Sequence, residues 1–475
     1  MIPRTHARDS VESLTYRRLS VAFRPREAYA SVMGFRGPRG HARTVALFAA
    51  LAFAWPAGAH AQGQADPGWT QRALGLQYEL AGDLPFVQTP WVGTHNSYNS
   101  TAQTGITTLS ARDSNQQITN VAQLDAGVRS LELDVHRYPD IPGGPLRVCH
   151  GRGADQLHFG CTLEKELAPT LAEIAAWLDS PAGLGQVLML YLEDHMVDAA
   201  GYDAAAGIVA GQLGGRVFRP PAGGCSEVPS DLTRDQIRAA GKQVLIVSDC
   251  GPGTGWAGVA FNWNSHVESR PVGYQDFPDC GPDYDRATYE TRLVRYYEDS
   301  TALTNVVGPP TGVATPDDGI TPQTAAAMTR CGVDLIGLDQ VTGPLDPRLE
   351  AMVWSWAQNR PAAAGTRPRR ACAIQRSARP ATGGRSAWFD RICNRKHRPA
   401  CRNASGGWRI LARALDQRGA ARACSRRGLV LAAPRTGYES QTLAVAMAAA
   451  GAPHAWLGLR RRGPDGTRWV ATDSR

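Results

Sequence analysis

The sequence predicts an α/β fold on a parallel sheet, and a TIM-type (β/α)8 barrel fits its length. Apolar runs bounded by turn residues alternate with helical patterns over about 280 residues, the pattern of successive βαβ units. The chain has 475 residues, 43% hydrophobic and 20% charged. That composition supplies a large core and excludes a disordered chain, a collagen-like fibre or a small disulfide scaffold. The length suggests one domain of roughly 250–300 residues with extensions, or two or three smaller ones.

The elements follow in order. Residues 86–93, Ser130–His136, 146–149, 187–192, 243–248 and 333–338 read as strands. Leu167, Leu171, Ile174 and Leu178 recur at spacings of four, three and four, one apolar helix face. Pro169 is tolerated only in a first turn, so that helix starts close to it. Residues 284–300 and 322–330 are two further predicted helices, and no repeat of fixed period stands out.

Charge is distributed unevenly. Residues 1–62 carry 9 basic against 3 acidic side chains, 63–350 carry 18 against 35, and 351–475 carry 24 against 5. The net +8 therefore belongs to the ends, and the acidic body argues against nucleic-acid binding.

Residues 1–61 read as a signal peptide. Arg36, Arg39 and Arg43 precede the apolar stretch 45–55, followed by Ala59-His60-Ala61, a small-residue cleavage pattern ahead of Gln62. The stretch is well short of the roughly 20 residues a membrane span needs. A start at Met33 would give a more compact signal. The expectation is a Sec-type signal and a secreted or periplasmic protein. All ten cysteines lie beyond residue 61, which suggests disulfides, and no C-x-x-C pair supports zinc or thioredoxin-type chemistry.

The ends of the apolar runs carry the chemistry. They read Gly93-Thr94-His95-Asn96-Ser97-Tyr98, Leu131-Glu132-Leu133-Asp134-Val135-His136, Val148-Cys149-His150-Gly151 and Tyr191-Leu192-Glu193-Asp194-His195. On a strand, Glu132 and Asp134 point to one face. Two carboxylates facing a barrel interior are costly unless compensated, and a cation compensates them. Asn96, Glu132, Asp134 and Glu193 are hard oxygen donors that suit calcium. A barrel also gathers its strand ends on one rim, where active sites sit. Taken singly, each residue has a plainer reading: a structural strand-end histidine, a solvated E-x-D, and for His136, Asp194 and His195 a supporting or surface role.

Taken together, these motifs resemble the X-region motifs of calcium-dependent phosphoinositide-specific phospholipase C, and more closely the secreted bacterial and fungal branch of that superfamily. The resemblance spans about residues 91–356. It implies a TIM-type barrel, catalytic histidines at His95 and His150, and calcium held by Asn96, Glu132, Asp134 and Glu193. Metal-independent bacterial relatives carry arginine where Asp134 stands, so the acid implies dependence on calcium. The implied reaction on phosphatidylinositol is attack of the inositol 2-hydroxyl on phosphorus, displacing diacylglycerol and leaving a cyclic phosphate that water opens. His150 is the expected general acid and His95 the expected stabiliser of the phosphorane; the base is Glu132, Glu193 or His95.

The strand 243–249 resembles one that carries lysines for ring phosphates in the animal enzymes. Val247 and Asp249 stand there instead, which suggests an unphosphorylated headgroup. The aromatic stretch 256–263 reads as buried packing ahead of a membrane-touching loop.

The basic end, 357–475, has two readings. Trp388, Asp390, Cys393 and Cys401 resemble the closing half of a C-type lectin-like domain, and Cys424, Gly437 and Trp456 the opening half, in reversed order. That suggests an incomplete lectin-like module with carbohydrate as a partner. The other reading is a flexible cationic arm, within 361–402, attracted to anionic lipid. Two rivals stand beside the phospholipase reading. A glycerophosphodiester phosphodiesterase would be expected to have Arg-Gly after its first histidine, where this chain has Asn-Ser-Tyr. A binding protein would use a silent barrel to present the tail.

Overall fold

The computed structural model describes residues 68–104, 114–137, 145–149, 165–221, 225–268, 286–301, 319–362, 370–378, 385–462 and 468–472. The expected signal segment and His150 lie outside the described residues.

Ten strands build the first sheet: β1 (Trp91–Thr94), β2 (Ser130–His136), β3 (Arg147–Val148), β4 (Leu188–His195), β5 (Val217–Phe218), β6 (Val244–Ser248), β7 (Phe261–Asn262), β8 (Val267–Glu268), β9 (Leu293–Tyr297) and β10 (Leu335–Leu338). They join in the order β5-β6-β4-β2-β1-β10-β9-β8, with β7 also on β6. β3 is antiparallel to β2, and the other pairings are parallel. β1, β2, β4, β6, β7, then β8, β9 and β10 thus follow the chain around a curled sheet, the TIM-type arrangement. Among the described residues no ladder joins β7 to β8.

The pleat divides each strand between two environments. Leu131, Leu133 and Val135 of β2 pack outward with Leu167, Leu171, Ile174 and Leu178 of the helix Leu167–Asp179. Pro169 falls in its first turn, as expected. Inside, Trp91, Met189, Leu245, Val247, Phe261, Trp263, Leu293 and Leu335 form an apolar floor. Trp256, Phe261 and Trp263 are each about 1% exposed, so the stretch 256–263 is core and not a membrane-touching loop.

Over the described residues 286–300, the helix expected over 284–300 is not formed. Arg286–Tyr289 is a 3-10 turn and Leu293–Tyr297 is β9. Its β-branched and aromatic residues alternate with period two: Val294 and Tyr296 pack with the outer helices, while Leu293 and Tyr297 join the floor. The helix Pro322–Cys331 forms, with a Thr321 capping box, proline at its start and Gly332 in the left-handed conformation at its end.

A second sheet occupies the basic end. It comprises β11 (Cys372–Arg376), β12 (Ala387–Arg391), β13 (Arg398–Arg402), β14 (Trp408–Ile410), β15 (Val430–Leu431), β16 (His454–Arg462) and β17 (Arg468–Ala471), backed by the helices Gln417–Ser425 and Gly437–Ala449. The described part of 361–402 is therefore sheet rather than flexible arm. Disulfides Cys372–Cys393 and Cys401–Cys424 tie this sheet, and Cys225–Cys250 ties the barrel. The two sheets share a core. Trp354 and Trp356, which follow the last barrel helix, stand edge-on to Trp388 with centroids 5.4 and 5.8 Å apart. Trp388 N also donates to Ser355 O at 2.7 Å.

Candidate active site

The polar residues of the barrel gather at the C-terminal ends of β1, β2, β4, β9 and β10. His95 and Asp339 each stand one residue beyond paired strand ends, Thr94 and Leu338. Their neighbours Asn96 and Gln340 hold left-handed backbone, φ 42° and 51°, which turns the chain sharply at both positions on the rim.

His95 Nδ1 lies 3.2 Å from Asp339 Oδ2. The same oxygen accepts from Ser300 N at 2.7 Å and Asn115 Nδ2 at 3.1 Å, and Gln116 Nε2 reaches Asp339 Oδ1 at 3.3 Å. Burial raises the Asp339 carboxyl, with His95 the main opposing influence. Bonding to a carboxylate makes Nδ1 the donor and leaves Nε2 3.2 Å from the Asn96 side-chain amide and 3.6 Å from Glu132 Oε2.

Glu132, Asp134 and Glu193 bring carboxylate oxygens within 4.8 Å of one another, Glu132 and Asp134 buried and Glu193 half-buried. Burial pushes the Glu132 carboxyl up to about 8, although His95 pulls it down and Asn96 N donates to it at 3.0 Å. Glu193 is held below its usual range by a hydrogen bond from His195, 3.1 Å away, and that carboxylate raises His195 in turn. One end of the Asn96 amide lies 3.0 and 3.1 Å from the two Asp134 oxygens. With its oxygen there, the amide joins a converging set of oxygens that only a cation would relieve; turned over, it donates to Asp134 instead. This donor set fits a hard divalent cation. Five of the six residues singled out from sequence thus share one rim, and the sixth, His150, lies outside the described residues.

Sequence reasoning missed a second group. Arg295 stands on the interior face of β9, its guanidinium carbon 5.6, 4.9 and 5.1 Å from the ring centroids of Tyr191, Trp263 and Tyr297. Tyr297 is close to parallel with His95, centroids 5.7 Å apart. It fits because position 337 is glycine: a Cβ there would come within 2.0 Å of Tyr297 Cδ1. Asp339 was findable, since it directly follows the run 333–338 as His95 follows its own. Arg295 was hidden by reading β9 as helix.

The model of the Rv2075c PI-PLC-like domain family matches residues 52–345. Two Mycobacterium tuberculosis proteins, uncharacterized protein Rv2075c of strain H37Rv and uncharacterized protein MT2135 of strain CDC 1551, are each 39% identical to the chain over 400 residues. The match covers 81% of this chain and 79% of theirs. Among solved structures, phosphatidylinositol-specific phospholipase C from Listeria monocytogenes is similar at TM-score 0.36 and 16% identity, over 60% of this chain and 97% of that one. A variant of the Staphylococcus aureus enzyme is similar at TM-score 0.41 and 12% identity, over 60% and 98%. Likenesses at that level carry no argument; by the family match and the mycobacterial relatives the chain belongs to the Rv2075c PI-PLC-like family of phosphodiesterases.

Proposed function

We propose that the protein is a calcium-dependent phospholipase C that cleaves the glycerol–phosphate bond of phosphatidylinositol at a membrane surface, after export to the periplasm or the medium. The observation that supports this most is the meeting of the His95–Asp339 pair with the oxygen donors of Asn96, Glu132, Asp134 and Glu193 at the mouth of one barrel.

The reaction needs a proton taken from the inositol 2-hydroxyl, charge stabilised on phosphorus and a proton given to the diacylglycerol oxygen. The new O–P bond forms as the glycerol O–P bond breaks. Calcium held by the four oxygen donors would acidify the attacking hydroxyl and offset charge on the phosphoryl group. His95, oriented by Asp339, presents Nε2 to a phosphoryl oxygen; Asp339 remains the fixed partner at Nδ1 and stabilises the imidazolium form. Arg295, with Tyr297 and Tyr191 beside it, offers a planar cation to the phosphate and apolar ring faces to the inositol ring. His150 is the proposed general acid. On the resemblance of the strand 243–249 to the lysine-bearing strand of the animal enzymes, Asp249 stands where a cation for a ring phosphate would be expected, which favours an unphosphorylated headgroup. The arginine-rich second sheet is proposed to adhere to anionic lipid, with carbohydrate as an alternative ligand.

The test is release of inositol phosphate from phosphatidylinositol vesicles, with calcium or with chelator. Release only with calcium supports the reading. Calcium-independent release removes the metal assignment, and inertness toward both vesicles and glycerophosphoinositol removes the enzymatic reading.

A further inference from the structure

The barrel mouth holds a second donor set, two of whose three members the phospholipase reading leaves unused. β2 and β4 run parallel with Glu132 opposite Tyr191, Asp134 opposite Glu193 and His136 opposite His195. Residues two apart share a face, so the interior of this strand pair is a column of three rungs. The middle rung is the carboxylate pair, and the outermost is a pair of imidazoles. His136 is 1% exposed and His195 half-buried; their rings are 24° from parallel with centroids 4.3 Å apart. Ligand atoms from Asp134, His136 and His195 all lie within 4.8 Å of one another.

Stacking of two neighbouring rings is ordinary packing; what points to an ion is the convergence of both imidazoles' nitrogens with an Asp134 oxygen. A divalent ion binds imidazole in its neutral form and sets its own charge against Asp134. The chemistry of the set also separates it from the site below. Calcium and magnesium select oxygen donors, whereas two imidazoles and a carboxylate suit zinc, iron, cobalt or nickel. Glu193, 3.1 Å from His195 Nε2, is a carboxylate partner of the kind that orients a metal-bound imidazole.

We propose that Asp134, His136 and His195 form a binding site for a divalent transition-metal ion of the zinc type, sharing Asp134 with the oxygen site beneath it. The assignment rests on strand register and donor chemistry, not on the lipid reading, so it stands or falls without substrate.

The experiment uses tag-free, chelator-stripped full-length protein, titrated with Co2+ under saturating calcium and followed by visible absorption. The expected result is one equivalent of Co2+ with the intense absorption of a low-coordinate, nitrogen-ligated ion, displaced by Zn2+. His195→Gln, at the half-exposed rim, is expected to weaken Co2+ binding at least about tenfold, the range in which lost ligands and their partners act. His136→Gln should do the same; should it fail to fold, His195→Gln carries the test. Asp134→Asn should weaken both ions. The proposal is overturned if calcium displaces Co2+ fully, if the absorption is that of an oxygen-only octahedral ion, or if His195→Gln binds Co2+ as the wild type does. None of these readings depends on lipid hydrolysis, so failure of the phospholipase reading remains a separate result.

Discussion

His95 Nδ1 is held 3.2 Å from Asp339 Oδ2, so the residues leaving the first and last strands of the barrel are joined across adjacent strand ends. Asp339 is fully buried and receives at least three further hydrogen bonds. Asp339→Asn keeps that packing and loses the charge that favours the Nδ1 proton. We expect kcat to fall by about 10²- to 10⁴-fold with KM nearly constant, the range general acid–base groups command. His95→Ala should lose at least as much, and the double variant no more than His95→Ala. Losses that simply add would show that the two act separately.

Three carboxylates around one point repel each other without a cation. Calcium should therefore raise the thermal midpoint of the wild type and leave that of Asp134→Asn nearly unchanged. The same substitution should abolish hydrolysis while leaving the metal-free protein at least as stable as the wild type. Differential scanning calorimetry with and without chelator checks both expectations.

Arg295 contributes a planar guanidinium among three aromatic rings. Arg295→Lys keeps the charge but not the plane, so it should not rescue Arg295→Gln. Both should raise KM for vesicular substrate about tenfold or more, the scale of a charge-assisted pair. An unchanged KM in both would remove Arg295 from substrate binding.

In the second sheet, His397 stacks edge-on to Trp456, centroids 4.8 Å apart. Burial, with the neighbouring His454 adding to it, depresses its imidazole from 6.5 to about 4. Between those values the unfolded chain binds the proton and the folded chain does not. Stability should thus be full above about pH 6.5 and fall as the pH drops toward 4. Urea titrations of His397→Gln across that window should show a shallower slope.

Trp388 is 1% exposed between Trp354 and Trp356. Trp388→Ala should cost about 3–5 kcal/mol, as large-to-small core changes do. Truncation after residue 356 strips Trp354 and Trp356 of those partners. The shortened chain should show weakened protection of its helix Trp69–Leu80, whose Leu76 and Leu80 lean on the same core. Hydrogen exchange of the two proteins provides the comparison.

Much of this architecture is written locally. β2 spans Ser130–His136 as the run itself does, because one apolar outward face and one polar inward face form a pattern of period two. The strand ends Thr94-His95, Glu132-x-Asp134 and Glu193 were legible for the same reason: polar groups at the end of a buried run need a purpose. β9 was not, since Leu293–Tyr297 carries an inward arginine that breaks the apolar run and blurs its period.

By itself, then, the sequence determined the fold class, six of the barrel strands and five described members of the candidate site, since each follows from residues adjacent in the chain. Only the tertiary structure decided that Asp339 meets His95, that Arg295 enters the same mouth, that His136 stacks on His195, and that the basic end packs on the barrel through Trp354, Trp356 and Trp388. Each of those is a contact between segments tens to hundreds of residues apart. It is set by the register of parallel strands and the closure of a shared core, which no local pattern encodes.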